Sequence, residues 1–100
     1  MGMVKIADLH KLLDLVDEVT EKTELLISLQ FSTYGNKEKY MTVNLCAYEV
    51  HPAGSDLADH LETVFYEIFY VGDTPLAEDE PYVKCRDYLK SLIAEGDRNA

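Results

Sequence analysis

The feature that most limits the fold of this chain is a change in the spacing of its apolar residues. Over residues 6–22 apolar side chains recur every three or four positions, which is the period of an amphipathic helix. These side chains are Ile6, Leu9, Leu12, Leu13, Val16 and Val19. Over residues 24–34 apolar and polar residues alternate instead, which is the period of a half-buried strand. The sequence therefore predicts a helix followed directly by a strand.

A second alternating segment, residues 40–50, predicts a hairpin with the first strand. A two-residue turn at Gly35 and Asn36 would place the apolar residues of one strand opposite the polar residues of the other. We therefore expect a loop with an odd number of residues, which gives the hairpin one apolar, covered face and one small, polar, open face. The expected pairs are Phe31 with Met41, Leu29 with Val43, and Ile27 with Leu45.

A third strand is predicted at residues 61–71, where β-branched and aromatic residues crowd together. A helix over residues 56–70 is the competing interpretation, because some of its apolar residues also have helical spacing. Residues 51–59 are expected to form a connection that contains a short helical turn starting at Ser55 or Asp56.

Both sides of the third strand are apolar except at Glu67. One side carries Val64, Tyr66, Ile68 and Tyr70, and the other carries Phe65, Glu67, Phe69 and Val71. Burying an unpaired carboxylate is strongly unfavourable, so we expect the side without Glu67 to face the helices. Phe65 and Phe69 would then lie on the open face as an exposed apolar patch, a feature typical of interfaces.

The last element is predicted to be a helix over residues 80–95, with Pro81 in its first turn and Gly96 ending it before a tail at 96–100. The expected fold class is α+β, a single domain over residues 1–100 in the order α-β-β-β-α. A three-stranded antiparallel sheet with two helices packed on one face would bury every amphipathic stripe. This order resembles the layout of the double-stranded-RNA-binding domain, although acidic residues replace the basic start of that domain's second helix.

The net charge of −10 is distributed unevenly along the chain. Residues 40–83 contain nine acidic residues and no Lys or Arg. A negative field repels the phosphates of nucleic acid and attracts basic proteins, so we expect a basic protein partner and no direct contact with nucleic acid. An acidic surface that serves only solubility is the alternative explanation.

Few residues offer catalytic or metal-binding chemistry. His10 with Asp14, and Asp56 with His60, have the four-residue spacing that can bring two ligands together on a helix, but neither pair has a third ligand in its pattern. His51 lies in no such pair. No serine lies in a glycine-flanked turn of the kind that activates a nucleophile. We therefore expect a protein that is not an enzyme and has no catalytic residue, no metal site and no cofactor.

The two cysteines, Cys46 and Cys85, are separated by 39 positions and form no C-x-x-C motif, so we expect two reduced, partly buried thiols. No apolar stretch has the length of a membrane span, and the first residues are charged throughout. These features predict a cytoplasmic protein that does not contact membranes.

Size, charge and predicted layout together favour a small acidic protein-binding module. In these respects the chain resembles the small inhibitors of phages and mobile elements, including anti-CRISPR proteins and DNA mimics, which implies that it occupies a basic site on a nucleic-acid-binding protein. The expected partner-binding residues are Phe65, Glu67, Phe69, Asp56, Asp59, Glu62, Asp73, Glu78, Asp79 and Glu80. The alternative is a self-associating structural or accessory subunit with a homodimer interface on the open sheet face.

Overall fold

The fold was analysed in a computed structural model, which describes residues 4–33, 40–51, 60–75 and 77–99. Its elements are α1 (Ile6–Lys22), β1 (Leu26–Thr33), β2 (Tyr40–His51), β3 (His60–Gly72) and α2 (Asp79–Asn99). The strands form one antiparallel sheet in the order β1-β2-β3. Both helices pack on the same face of that sheet, so the predicted α+β fold in the order α-β-β-β-α is confirmed. Neither helix is long and apolar enough, over the described residues, to cross a membrane.

Helix α1 has the bounds that its apolar spacing predicts. It starts where the Asp8 carboxylate accepts a hydrogen bond from the backbone N–H of Lys5 (2.9 Å), which satisfies a donor ahead of the first turn. It ends where both the backbone N–H and the hydroxyl of Thr23 donate to the carbonyl of Val19, each at 2.9 Å. Leu12 and Val19 are fully buried, so the apolar stripe of α1 faces the sheet.

The register of the β1–β2 hairpin differs from the predicted one by two residues. Phe31 pairs with Val43, Leu29 with Leu45, and Ile27 with Ala47. The predicted pairs are therefore wrong, but an odd number of residues still separates Thr33 from its partner Met41, so the predicted face is correct. A shift of two residues keeps every side chain on its own face, which is why alternation alone could not distinguish the two registers.

The predicted strand at residues 61–71 is present as β3, and the competing helix is wrong over the described residues. The predicted faces of this strand are also wrong. Phe69 is fully buried in the core, and Phe65 stacks on Tyr88 of α2 with ring centroids 4.1 Å apart and planes 6° apart. Val64 and Tyr66 are exposed on the other side of the strand. The helical turn expected at Ser55 or Asp56 lies outside the described residues.

The reason for the reversed faces is the environment of Glu67. Glu67 does lie on the covered face, opposite Leu45, but it is only half-buried, so its carboxylate keeps access to water. One carboxylate oxygen also accepts a weak hydrogen bond from the backbone N–H of Ile68 (3.4 Å). Because Glu67 keeps this access to water, it does not carry the full cost of burying a charge, and the side of β3 that carries it can be the covered one.

Helix α2 extends past Gly96 to Asn99, so the predicted helix end and the predicted tail at 96–100 are wrong. Gly96 lies against the last turn of α1. A Cβ atom at this position would be 2.9 Å from the Cβ of Lys22, and the Lys22 ammonium is paired with the Asp97 carboxylate at 2.6 Å. The glycine permits the two helices to approach each other closely and does not end the second one.

The end of β3 is fixed by the N-terminal segment. The backbone N–H of Gly72 donates to the carbonyl of Val4 (2.9 Å), and the N–H of Val4 donates to the carbonyl of Ala77 (3.0 Å). Gly72 has a φ angle of 140°, a backbone conformation that side-chain-bearing residues rarely adopt, and here the chain leaves the sheet. An ion pair between Lys5 and Asp73 closes the same corner.

Candidate functional site

The candidate site is the face of the sheet that the helices do not cover, which we call the open face. Strand register places every second side chain of each strand on it. Among the described residues it consists of Leu26, Ser28, Gln30, Ser32, Tyr40, Thr42, Asn44, Cys46, Tyr48, Val50, Leu61, Thr63, Val64, Tyr66, Ile68 and Tyr70. A register shift at Ala47 and Tyr48 sets Thr63 and Val64 together opposite Tyr48, so β3 is bulged there.

Not one of these described open-face side chains carries a charge. The described basic residues all lie in or beside the helices, and the charged residues of the strands, Glu49, Glu62 and Glu67, point to the helix side. A sheet face in contact with water usually carries polar and charged residues. In a protein with a net charge of −10, an uncharged face of this size is therefore the most unusual part of the described surface.

The open face has an apolar half and a polar half. Eight large apolar residues are exposed among the described residues, and five of them lie on this face. These five are Leu26, Val50, Leu61, Val64 and Tyr66. Ser28, Gln30, Ser32, Thr42 and Asn44 make up the polar half. The predicted small, polar open face is thus present in one half of the hairpin, whereas Leu26 and Val50 of the hairpin join three residues of β3 in an apolar patch.

Tyrosine side chains cover much of the open face. Tyr40 and Tyr70 meet edge to face with ring centroids 5.7 Å apart. Farther along the sheet, the Cys46 thiol is nearly buried and donates a hydrogen bond to the Asn44 side-chain oxygen (3.4 Å). A hydrogen bond with Cys46, together with partial burial, raises the pKa of the Tyr48 hydroxyl. The Tyr48 phenol therefore stays neutral at physiological pH.

The predicted partner-binding residues do not form one surface. Phe69 has no exposed area and Phe65 packs against α2, so neither contributes to the open face. Glu62 lies near the first residue of β3, whereas Asp73 follows its last residue. Eleven positions separate them along the chain, or about 36 Å in an extended strand.

The remaining predicted acidic residues are also dispersed. Glu78, Asp79 and Glu80 are exposed at the start of α2, where negative charge favours the helix dipole. Asp56 and Asp59 lie outside the described residues. The acidic window is therefore continuous in the sequence but divided between the two ends of the sheet.

One cluster of ionisable side chains was not predicted. The His51 Nε2 atom lies 3.4 Å from Glu49 Oε2 and 3.3 Å from Glu62 Oε2, at the end of the sheet farthest from Gly72. Both histidine pairs singled out in the sequence, His10 with Asp14 and Asp56 with His60, have helical spacing. In a strand, residues two apart share a face, so the pattern Glu49-x-His51 was a signal that strand spacing would have identified.

Both described cysteines are buried, and an open groove lies between the two helices. Both thiols are free, as predicted, and both are buried more completely than predicted. Burial, with a smaller contribution from the negative charge of Glu67, raises the pKa of the Cys85 thiol to about 12. Between α1 and α2 lies an open groove of about 450 Å³, lined by Asp8, Lys11, Asp14, Leu15, Tyr82, Arg86 and Lys90. The Tyr82 hydroxyl in this groove donates to the Asp8 carbonyl (2.9 Å), which ties the helices together.

Comparison with protein-family models, with curated proteins and with solved structures finds no match for this chain.

Proposed function

We propose that this protein is a non-enzymatic, cytoplasmic binding module that pairs with a second copy of itself through the open face, as a structural or accessory subunit. The observation that carries the proposal is the absence of charge from the described part of that face, in a chain with a net charge of −10. Two reduced, buried thiols agree with a reducing compartment.

The composition of the open face is that of an interface core. Such cores are depleted in charged residues and enriched in aromatic ones, tyrosine in particular. Tyr66 is 56% exposed and Leu61 is 50% exposed, and both are adjacent to other apolar side chains. An apolar patch of this kind is stabilised when another surface removes it from water.

Charge distribution favours a second copy over a basic partner as the occupant of this face. A basic surface placed on the open face would meet no carboxylate on its described residues. Two copies placed face to face would bury two neutral surfaces and keep both helix layers, which carry most of the described acidic residues, on the outside. An interface of one patch with its own copy is the usual geometry of a symmetric dimer.

The size of the open face is sufficient for a stable interface. Twelve residues in β2 and three strands give a face about 40 Å long and about 14 Å wide, or about 550 Å² in projection. Accessible area exceeds projected area because side chains stand above the backbone. The face is therefore comparable with the roughly 600–800 Å² that each partner buries in a specific complex. Two sheets packed in this way would lie about 10 Å apart.

The test is the mass of the protein in solution, measured by light scattering and by sedimentation over a range of concentrations. We expect twice the chain mass of 11.4 kDa. Tyr66→Asp, which puts a charge among the exposed apolar residues of the open face, should give a monomer. Ile6→Asp is the matched control, because Ile6 is also an exposed apolar residue, at 50%, but lies on α1. Circular dichroism of both variants verifies that they fold.

The effect of salt on association distinguishes this proposal from one in which a basic partner binds through charge. Each copy carries a charge of −10, so salt should screen their repulsion and strengthen the dimer. A wild-type protein that is monomeric at every concentration contradicts the proposal, as does a dimer that dissociates equally in both variants.

A second candidate is an acidic inhibitor that occupies the basic site of a nucleic-acid-binding protein. The observation that favours it is the exposed triplet Glu78, Asp79 and Glu80, which belongs to the window without Lys or Arg. Affinity capture at low and high salt should then recover a basic partner that is released by salt, and replacing the triplet with amides should prevent capture. A complex that salt does not weaken would eliminate this candidate.

A further inference from the structure

We infer that Glu49, His51 and Glu62 form a binding site for a divalent transition-metal ion of the Zn²⁺ type. We call these three residues the end cluster, because they join β2 and β3 at one end of the sheet. The site is on the helix side of the sheet and shares no residue with the open face, so the inference is independent of the proposed dimer.

Strand geometry brings the three ligands together. Glu49 and His51 are two residues apart in β2 and therefore point the same way. Glu62 is the direct partner of Glu49 across the β2–β3 ladder, beyond the bulge in β3. One nitrogen and two carboxylate oxygens come within 4.8 Å of one another as a result. Two paired strands position the ligands on a rigid ladder.

The distances within the end cluster fit ligands around a cation. The two Nε2-to-Oε2 distances are 3.4 and 3.3 Å. Charge-assisted hydrogen bonds between nitrogen and carboxylate oxygen are shorter, at about 2.7–2.9 Å. In a tetrahedral zinc site, bonds of about 2.0–2.2 Å place neighbouring ligand atoms about 3.3–3.6 Å apart. The two nitrogen-to-oxygen distances thus match edges of such a tetrahedron, and all three ligand atoms lie within 4.8 Å of one another.

Electrostatics also favours a cation in the end cluster. Glu49 and Glu62 are like charges placed directly opposite each other, an arrangement that destabilises a sheet. In the described part of the chain, neither carboxylate forms an ion pair with a Lys or Arg. Glu24 lines a shallow hollow of about 210 Å³ together with Glu49 and His51, which adds a further carboxylate nearby. A divalent cation would neutralise the facing carboxylates.

The ligand chemistry selects the class of metal. Zn²⁺ binds both imidazole nitrogen and carboxylate oxygen, whereas Mg²⁺ and Ca²⁺ prefer oxygen ligands alone. Three protein ligands leave the fourth tetrahedral position to water. The imidazole must be deprotonated at the nitrogen that binds the metal, so protons compete with the metal and binding should weaken in acid.

The experiment is calorimetric titration of the full chain, freed of metal by a chelator, with ZnCl₂ and separately with MgCl₂. We expect one zinc ion per chain and no saturable binding of magnesium. His51→Gln and Glu62→Gln should each weaken zinc binding about 100-fold, the upper end of the range seen when the shell around a metal is altered. His10→Gln is the matched control, because it removes another exposed histidine and should leave the affinity unchanged.

A second measurement keeps the result independent of the dimer. Zinc should raise the unfolding temperature of the wild type and of Tyr66→Asp, but not that of His51→Gln, because binding to the folded state alone is stabilising. The absence of zinc binding at concentrations up to about 1 mM would overturn the inference. So would zinc binding that persists unchanged in His51→Gln, since the ion would then be held elsewhere.

Discussion

The two faces of the sheet are built from alternate residues of the same strands, yet one face is buried under the helices and the other is largely exposed. On the covered face Val43, Leu45 and Phe69 have no exposed area. On the open face the described side chains range from nearly buried Cys46 to Tyr66, which is 56% exposed. In β3 both faces are apolar, so hydrophobicity does not decide which one is buried. The helices decide it, by covering only one.

The largest expected effect is a difference between two aromatic residues of β3. Phe69→Ala should lower the free energy of unfolding by about 3–5 kcal/mol, because it leaves a cavity in the core. Tyr66→Ala, on the open face of the same strand, should change the stability of the monomer by less than about 1 kcal/mol. Urea unfolding at low protein concentration measures both. Equal losses would mean that the open face is already covered within the monomer.

A smaller effect is expected where the helices that cover the sheet meet. Gly96→Ala would normally stabilise a helix interior, but here the added Cβ would lie 3.1 Å from the carbonyl oxygen of Lys22. Overpacking of this kind costs about 1–3 kcal/mol, so we expect a net loss of about 1 kcal/mol. Thermal unfolding measures it, with Ala94→Gly as the reference for the helix propensity alone. A stabilised Gly96→Ala protein would show that the helix ends are not in close contact.

The smallest effect tests how completely water is excluded from the Cys85 thiol, which lies in the core between the helices and the covered face. Burial raises the pKa of the Cys85 thiol from 9.0 to about 12. Below pH 9 the thiol is protonated in both states, and above it only the unfolded chain releases the proton. The free energy of unfolding should therefore fall as the pH rises from 9 towards 12, by about 0.8 kcal/mol at about pH 9.5.

Urea unfolding at several pH values measures this fall. Cys85→Ala should reduce the slope of the free energy of unfolding against pH. Comparison of slopes removes the effect of the smaller side chain, which is the same at every pH. An unchanged slope in the variant would show that the thiol is in contact with water.

Local patterns were sufficient to predict the elements. The apolar spacing of α1 predicts its first and last residues, and alternation predicts β1 and β2 to within two residues of their ends. Each of these features depends on neighbours in the chain, and a single side-chain period describes it.

Contacts between distant segments account for what was missed. The hairpin register could move by two residues without exposing the apolar side chains. Gly96 has the position of a helix end in the sequence, and only its contact with Lys22 of α1 shows that it serves the packing of the two helices. The end cluster depends on the pairing of Glu49 with Glu62 across a bulge. Such pairing depends on how the two strands are aligned, so it cannot be recognised from the sequence around either residue alone.

The sequence by itself determined the order of helices and strands, the parity of the hairpin and the concentration of negative charge, because these follow from side-chain period and composition. Only the tertiary structure decided which face of β3 is buried and where the acidic residues meet. The physical reason is that Glu67 remains in contact with water on the covered face while Phe69 is fully buried there. The free energy of burial depends on the water that each atom retains, and that is set by the helices packed above it.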